Sequence, residues 1–202
     1  MAIACAGAAT TDAALAQSQG SARAYLMRGL FDVSTGLDDL AAKLRSRGVR
    51  AIVDSYTASD QLAAAAIRAY AEQTACPIVV IGHSMGAEAA VAMAEKLAQA
   101  KVPVAVLVTF SPAYPRAVPA NVGRIVNYYQ SNSALWPNRL SGPAKSRVRN
   151  VDLANDAAVN HLNIEKLPRL HEETLRLVAA AKVSCGVQHR SAPKTATQAA
   201  KP

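Results

Sequence analysis

Aromatic side chains are scarce in this chain: two Phe, six Tyr and a single Trp make up 4% of 202 residues. With so few stacking platforms and no basic–aromatic motif, the usual designs for nucleic-acid recognition are excluded despite a net charge of +8. Acidic residues are also sparse, 14 against 22 Lys and Arg. None falls between Arg139 and Arg149, where Arg139, Lys145, Arg147 and Arg149 cluster. No apolar run approaches the ~20 residues of a membrane-spanning helix. The three cysteines are Cys5, Cys76 and Cys185. Setting Cys5 aside leaves Cys76 and Cys185 as a pair able to bridge in an oxidising compartment.

What is present suits one domain. A chain of 202 residues, 51% of them hydrophobic, can bury a real core but has no room for a second. Residues 1–21 read as the remnant of an export signal or a disordered N-terminus. Ala14-Leu15-Ala16 has the small-x-small look of a signal-peptidase site, but a basic n-region is missing. Residues 22–183 form the domain. Residues 184–202 read as a disordered Ser/Ala/Pro/Gln tail crowded by His189, Arg190, Lys194 and Lys201. Export, periplasmic or secreted, is the favoured location and the cytoplasm the alternative. Oligomeric state leaves no signal.

Strand and helix patterns alternate along the domain. Strands are expected at 22–30, 49–56, 77–81, 103–110, 123–130 and 147–153, helices at 34–43, 59–73, 85–100 and 168–183. Such alternation predicts a three-layer α/β/α sandwich around a mostly parallel sheet of about six strands.

One segment carries the chemistry. Ile78-Val79-Val80-Ile81 runs straight into Gly82-His83-Ser84-Met85-Gly86, and a helix of small residues follows. A buried strand, Gly-x-Ser-x-Gly and a helix make a nucleophile elbow, a turn so tight that its serine is strained and lifted to the top of the sheet. Ser84 then needs a base. Of four histidines, His83 lies inside the motif and should point away from the serine. His171 reads as surface beside Glu172 and Glu173, and His189 lies in the tail. His161 remains, in a loop between the last strand and the last helix.

The acid is harder to find. The turn after Gln130 is Ser131-Asn132-Ser133, without a carboxylate, and the only aspartates between Ser84 and His161 are Asp152 and Asp156. Asp152, at the end of the last strand, is the favoured acid and Asp156 the alternative; an Asn132 surrogate or a bare dyad stays open. For an oxyanion hole the backbone N–H of Met85 is one donor, and the N–H of Leu30, in Arg28-Gly29-Leu30, is the second.

These residues resemble the α/β-hydrolase superfamily of serine esterases and lipases, especially its small, lid-less, cutinase-sized members. The resemblance spans about residues 22–183. It rests on Gly82–Gly86 with its flanking elements, on Arg28-Gly29-Leu30, on Val108-Thr109-Phe110-Ser111-Pro112, and on Asn160-His161-Leu162 before a closing helix. It implies a minimal α/β-hydrolase fold and ester hydrolysis through an acyl-enzyme, with neither cofactor nor metal. A thioesterase or acyltransferase on the same triad is the alternative, and a non-catalytic binding protein of this fold is a further one. The partner expected is a small-molecule ester, drawn in by the basic cluster if anionic, with Phe31, Tyr114, Tyr128 and Trp136 as candidate walls of the acyl pocket.

Overall fold

Period-two burial builds the sheet. The computed structural model describes residues 20–134, 136–143 and 147–191, with the side chains of Arg147 and of 183–191 not included. In β1 (Ser21–Arg28) Ala24 and Leu26 face one side while Tyr25 and Met27 face the other, all fully buried. In β3 (Ala75–His83) Val79 and Ile81 alternate with Ile78 and Val80 in the same way. Side chains that alternate yet are buried throughout need a layer on each face.

Helices supply those layers. The helix α1 (Gly36–Ser46) places Leu37, Leu40, Ala41 and Leu44 on one stripe, and α4 (Pro168–Ser191) adds Leu170, Leu175 and Val178 against the face of Ala24, Leu26, Val79 and Ile81. On the other face α2 (Ser59–Ala71) and α3 (Met85–Gln99) contribute mostly alanines, packed on Tyr25, Met27, Ile78 and Val80. Among the described residues no helix is long and apolar enough to cross a membrane.

With β2 (Arg50–Ser55), β4 (Val104–Phe110), β6 (Val122–Tyr129) and β8 (Arg147–Asp152), the sheet has six parallel strands in the order β2-β1-β3-β4-β6-β8. This is the expected three-layer α/β/α sandwich. The chain moves outward from β1 to β2 and then returns to β3 on the other side, so the order reverses between β1 and β3. A crevice opens at the carboxyl ends of strands where that happens. Gly29-Leu30 and Ser84 flank it.

Two details were not read from the sequence. A second, two-stranded sheet pairs β5 (Arg116–Ala117) with β7 (Leu140–Ser141), so the 131–145 segment is not a plain loop. The closing helix continues to Ser191 instead of giving way to a tail at 184. Gly186 alone costs a helix only about 1 kcal/mol, and the first proline beyond Pro168 is Pro193. Cys76 is disulfide-bonded, while the side chain of Cys185 lies outside the described residues. So do residues 1–19 of the 1–21 segment read as an export remnant, and 192–202.

Candidate active site

The turn at Ser84 is a single residue long. β3 ends at His83 and α3 starts at Met85, leaving Ser84 at φ 55, ψ −126. A non-glycine residue there stores strain of order 1–3 kcal/mol and persists only where its surroundings dictate it. Here the Ser84 N–H donates to the Phe110 carbonyl at 3.0 Å and its own carbonyl accepts from Ala87 N–H at 2.8 Å. The flanking glycines let three backbones touch: a Cβ on Gly82 would stand 2.0 Å from the Gly86 oxygen, and one on Gly86 2.0 Å from the Met27 oxygen.

Strand register brings a second hydroxyl alongside. His83 pairs with Phe110 across β3 and β4, so Ser84 and Ser111 are each the first residue beyond the same rung. Ser111 is 3% exposed and also left-handed, φ 44, with its N–H on the Tyr128 carbonyl at 2.7 Å. His161 sits between the two serines. Its Nε2 is 3.1 Å from Ser84 Oγ and its Nδ1 2.8 Å from Ser111 Oγ. With the Nδ1 proton donated to Ser111, the Nε2 lone pair faces the Ser84 hydroxyl. Burial lowers the pKa of His161 below the usual imidazole value, which keeps it in that neutral form. The indole of Trp136 covers the ring face, its centroid 3.9 Å away and the planes 21° apart.

Neither aspartate is brought to His161. Asp152 Oδ1 accepts from the N–H groups of Ser131 and Ala154, both at 3.0 Å. Asp156 takes Arg169 at 2.6 Å and the Ala158 N–H at 3.1 Å. The expected Asp152 contact fails for a lateral reason: β8 is three strands from β3, about 14 Å at ~4.8 Å per strand. Asn132 is engaged as well, donating to the Ala154 carbonyl at 3.1 Å.

His83 does point away from Ser84, but it ties two loops together. Its Nε2 faces the His161 carbonyl at 2.8 Å, an atom that only accepts, so Nε2 carries the proton. Nδ1 then accepts from Ser34 Oγ at 2.7 Å, and Ser34 Oγ accepts from Gly29 N–H at 2.9 Å. Burial first, then the neighbouring His161, push the His83 pKa down to about 3, so the relay stays neutral. Gly29 in turn lies against Ser84, where an added Cβ would be 2.9 Å from that of the serine. Among the described residues the N–H groups of Met85 and Leu30 have no acceptor.

Residues 16–198 match the profile of the alpha/beta hydrolase family. The chain belongs to that family. The hydrolase shares its fold with the RedJ thioesterase of the prodiginine biosynthetic pathway in Streptomyces coelicolor, at 10% identity over 78% of this chain and 86% of that one, TM-score 0.50. A putative alpha/beta hydrolase of unknown function from Agrobacterium tumefaciens is similar at 11% identity over 86% and 89%, TM-score 0.51. No curated protein matches the sequence.

Elsewhere the hydrolase departs from its sequence reading in four places. His171 is 1% exposed, not surface: it donates from Nε2 to the Glu165 carbonyl at 2.7 Å and lies on the buried stripe with Leu170 and Leu175. Tyr128 belongs to the core and stacks on Phe110, so it walls no pocket. In the basic cluster Arg149 pairs with Glu173 of α4, an acid that only folding brings near; Lys145 and the Arg147 side chain lie outside the described residues. Ser111 went unassigned. Its signal was its place, the first residue after the strand that follows the elbow helix. Around Ser84 the hydrolase exposes Leu30, Phe31, Tyr114 and Leu162, each within three residues of a site residue. Among the described residues no cluster of three His, Cys, Asp or Glu could hold a metal ion.

Proposed function

We propose that this hydrolase cleaves carboxylic esters through an acyl-enzyme at Ser84, with His161 as general base. The observation that carries the proposal is the 3.1 Å contact between His161 Nε2 and the strained Ser84 Oγ. As Oγ attacks the acyl carbon, its proton passes to Nε2 and the carbonyl π pair moves onto oxygen. The Met85 and Leu30 N–H groups receive that oxyanion, each such donor being worth ~3–4 kcal/mol in the transition state. Collapse breaks the bond to the alcohol, which leaves with the Nε2 proton. Water then repeats the sequence and frees the acid. The exposed Leu30, Phe31, Tyr114 and Leu162 suit an apolar acyl chain.

Ser111 takes the third position in this reading, in place of Asp152 or Asp156. A hydroxyl accepts the Nδ1 proton's hydrogen bond but brings no negative charge to the imidazolium. Thioesters are the second reading, since a thiol near pKa 8.5 leaves far more readily than an alcohol and one similar structure is a thioesterase.

A fluorophosphonate probe tests the core of the proposal. Labelling of the wild type, lost in a folded Ser84→Ala variant and cut by several orders of magnitude in His161→Ala, is expected. Undiminished labelling of Ser84→Ala would remove the assignment, and no labelling of the wild type would leave a binding protein. Turnover of an oxyester and a thioester sharing one acyl group separates the two substrate classes.

A further inference from the structure

We propose that Trp136 is a positioning residue for His161, its indole face stabilising the imidazolium while the neutral Ser111 holds the Nδ1 position where a carboxylate would stand. The inference rests on the reading of His161 as the general base. Geometry carries it. The two rings stack at 3.9 Å and 21°, and a cation over an indole face within about 6 Å is attracted by the ring quadrupole, most strongly when water is excluded. His161 is half-buried.

Other groups facing His161 cannot supply that charge. From β3 come Ser84 and His83, whose ring lies 4.8 Å away and stays neutral. From the end of β4 comes Ser111. Lys166 acts on His83, and as a cation it acts in the wrong sense for stabilising positive charge. Among the described residues no carboxylate is hydrogen-bonded to His161.

The loop that carries Trp136 is held for the purpose. The Trp136 N–H donates to Ser133 Oγ at 3.2 Å. Two residues on, Asn138 Nδ2 donates to the Pro112 and Ala113 carbonyls at 3.0 and 2.8 Å, and its carbonyl accepts from the buried Asn127 at 3.0 Å. Asn150 clamps Leu140 through both N–H and C=O, each at 2.9 Å. Ser111 and Trp136 are thus fixed to one frame. Before attack Nδ1 holds its own proton, hydrogen-bonded to Ser111 Oγ, and Ser84 Oγ holds the other. Afterwards both ring nitrogens hold protons, and the positive charge faces the indole.

Because Trp136 is the single tryptophan, replacing tryptophan globally by its mono-, di- and trifluoro analogues changes this ring alone. Fluorination withdraws charge from the π face and leaves packing nearly unaltered. Imidazole NMR of the full chain, with the His161 signal identified by its absence in His161→Gln, reads the titration directly. The His161 pKa should fall stepwise, by about 0.5–1 in all. Trp136 fluorescence in the native chain should be quenched with the same midpoint, and His161→Gln should abolish that transition. An unchanged or rising pKa across the series would overturn the proposal. So would a Trp136→Leu variant titrating at or above the native midpoint, should the fluorinated chains not fold. These readouts need no turnover: loss of fluorophosphonate labelling with a falling pKa would remove the catalytic reading and keep the stacking effect.

Discussion

Ser84 and His161 lie 3.1 Å apart, yet they are held by opposite means. The serine's conformation is built from consecutive residues, a strand, two glycines and a helix start, and is clamped by the Phe110 and Met27 backbones of the two flanking strands. The histidine is set by partners distant in sequence. Ser111, Trp136 and His83 are 50, 25 and 78 residues away, on three other segments. The imidazole, assembled at long range, has a hydroxyl where a carboxylate was expected.

The sharpest way to break the local half is Gly86→Ala. The new Cβ would meet the Met27 oxygen at 2.0 Å and that of Arg28 at 2.7 Å, both main-chain atoms with nowhere to go. Destabilisation of about 3 kcal/mol or more is expected, together with loss of Ser84 labelling. Thermal unfolding measured beside a labelling assay checks it, and a variant as stable and reactive as the native chain would refute the steric account.

The long-range half is probed by Ser111→Asp. Its φ of 44 is one that Asp adopts readily, and a carboxylate on Nδ1 would favour the imidazolium. Burial keeps the native His161 pKa low, so the acid limb of kcat/KM should lie below about pH 6.5. In Ser111→Asp that limb should move to higher pH and the plateau rise by about tenfold or more. Ser111→Ala should lower the plateau by no more than about tenfold, the worth of one neutral hydrogen bond. A limb that stays put in Ser111→Asp would remove Ser111 from the third position.

His83→Asn cuts the relay that joins Gly29 to the His161 carbonyl. A loss of about 1–3 kcal/mol in stability is expected from the partners left unpaired, with kcat reduced more than KM. The sign with pH follows from its depressed pKa. The unfolded chain takes up this proton near 6.5 and the folded one only near 3, so stability falls as pH drops through that window. His83→Asn should flatten that part of the curve, which denaturant titrations at pH 7 and pH 4 would show. The smallest effect is expected from Asp152→Asn, because Asp152 serves Ser131 and Ala154. Its pH profile should superimpose on the native one, and a displaced acid limb would return Asp152 to the catalytic set.

How much was legible follows the same division. The runs Val79–Ile81 and Val104–Val108 announced buried parallel strands, and each of the six strands lies within about two residues of its expected bounds. His161 was reachable by elimination among four histidines. Asp152 was misplaced because position along the chain says which strand end a residue occupies but not how far that strand lies from the nucleophile's. Ser111 lies one strand over from Ser84 at the same register level, and no periodicity within β4 reveals that β3 is its neighbour. Trp136 looked like one of several possible walls until the asparagine frame of Asn127, Asn138 and Asn150 brought its loop over the imidazole.

Sequence by itself determined the elbow, the sheet's two buried faces and the serine's strain, because sterics and side-chain period act between residues a few positions apart. Tertiary structure decided the partner of His161. Strand order and register alone place a residue from the end of β4 beside one from the end of β3, while the end of β8 stays two strands further out. Hydrogen bonds reach only about 3 Å, so that lateral order, unreadable from local pattern, chose a hydroxyl over a carboxylate.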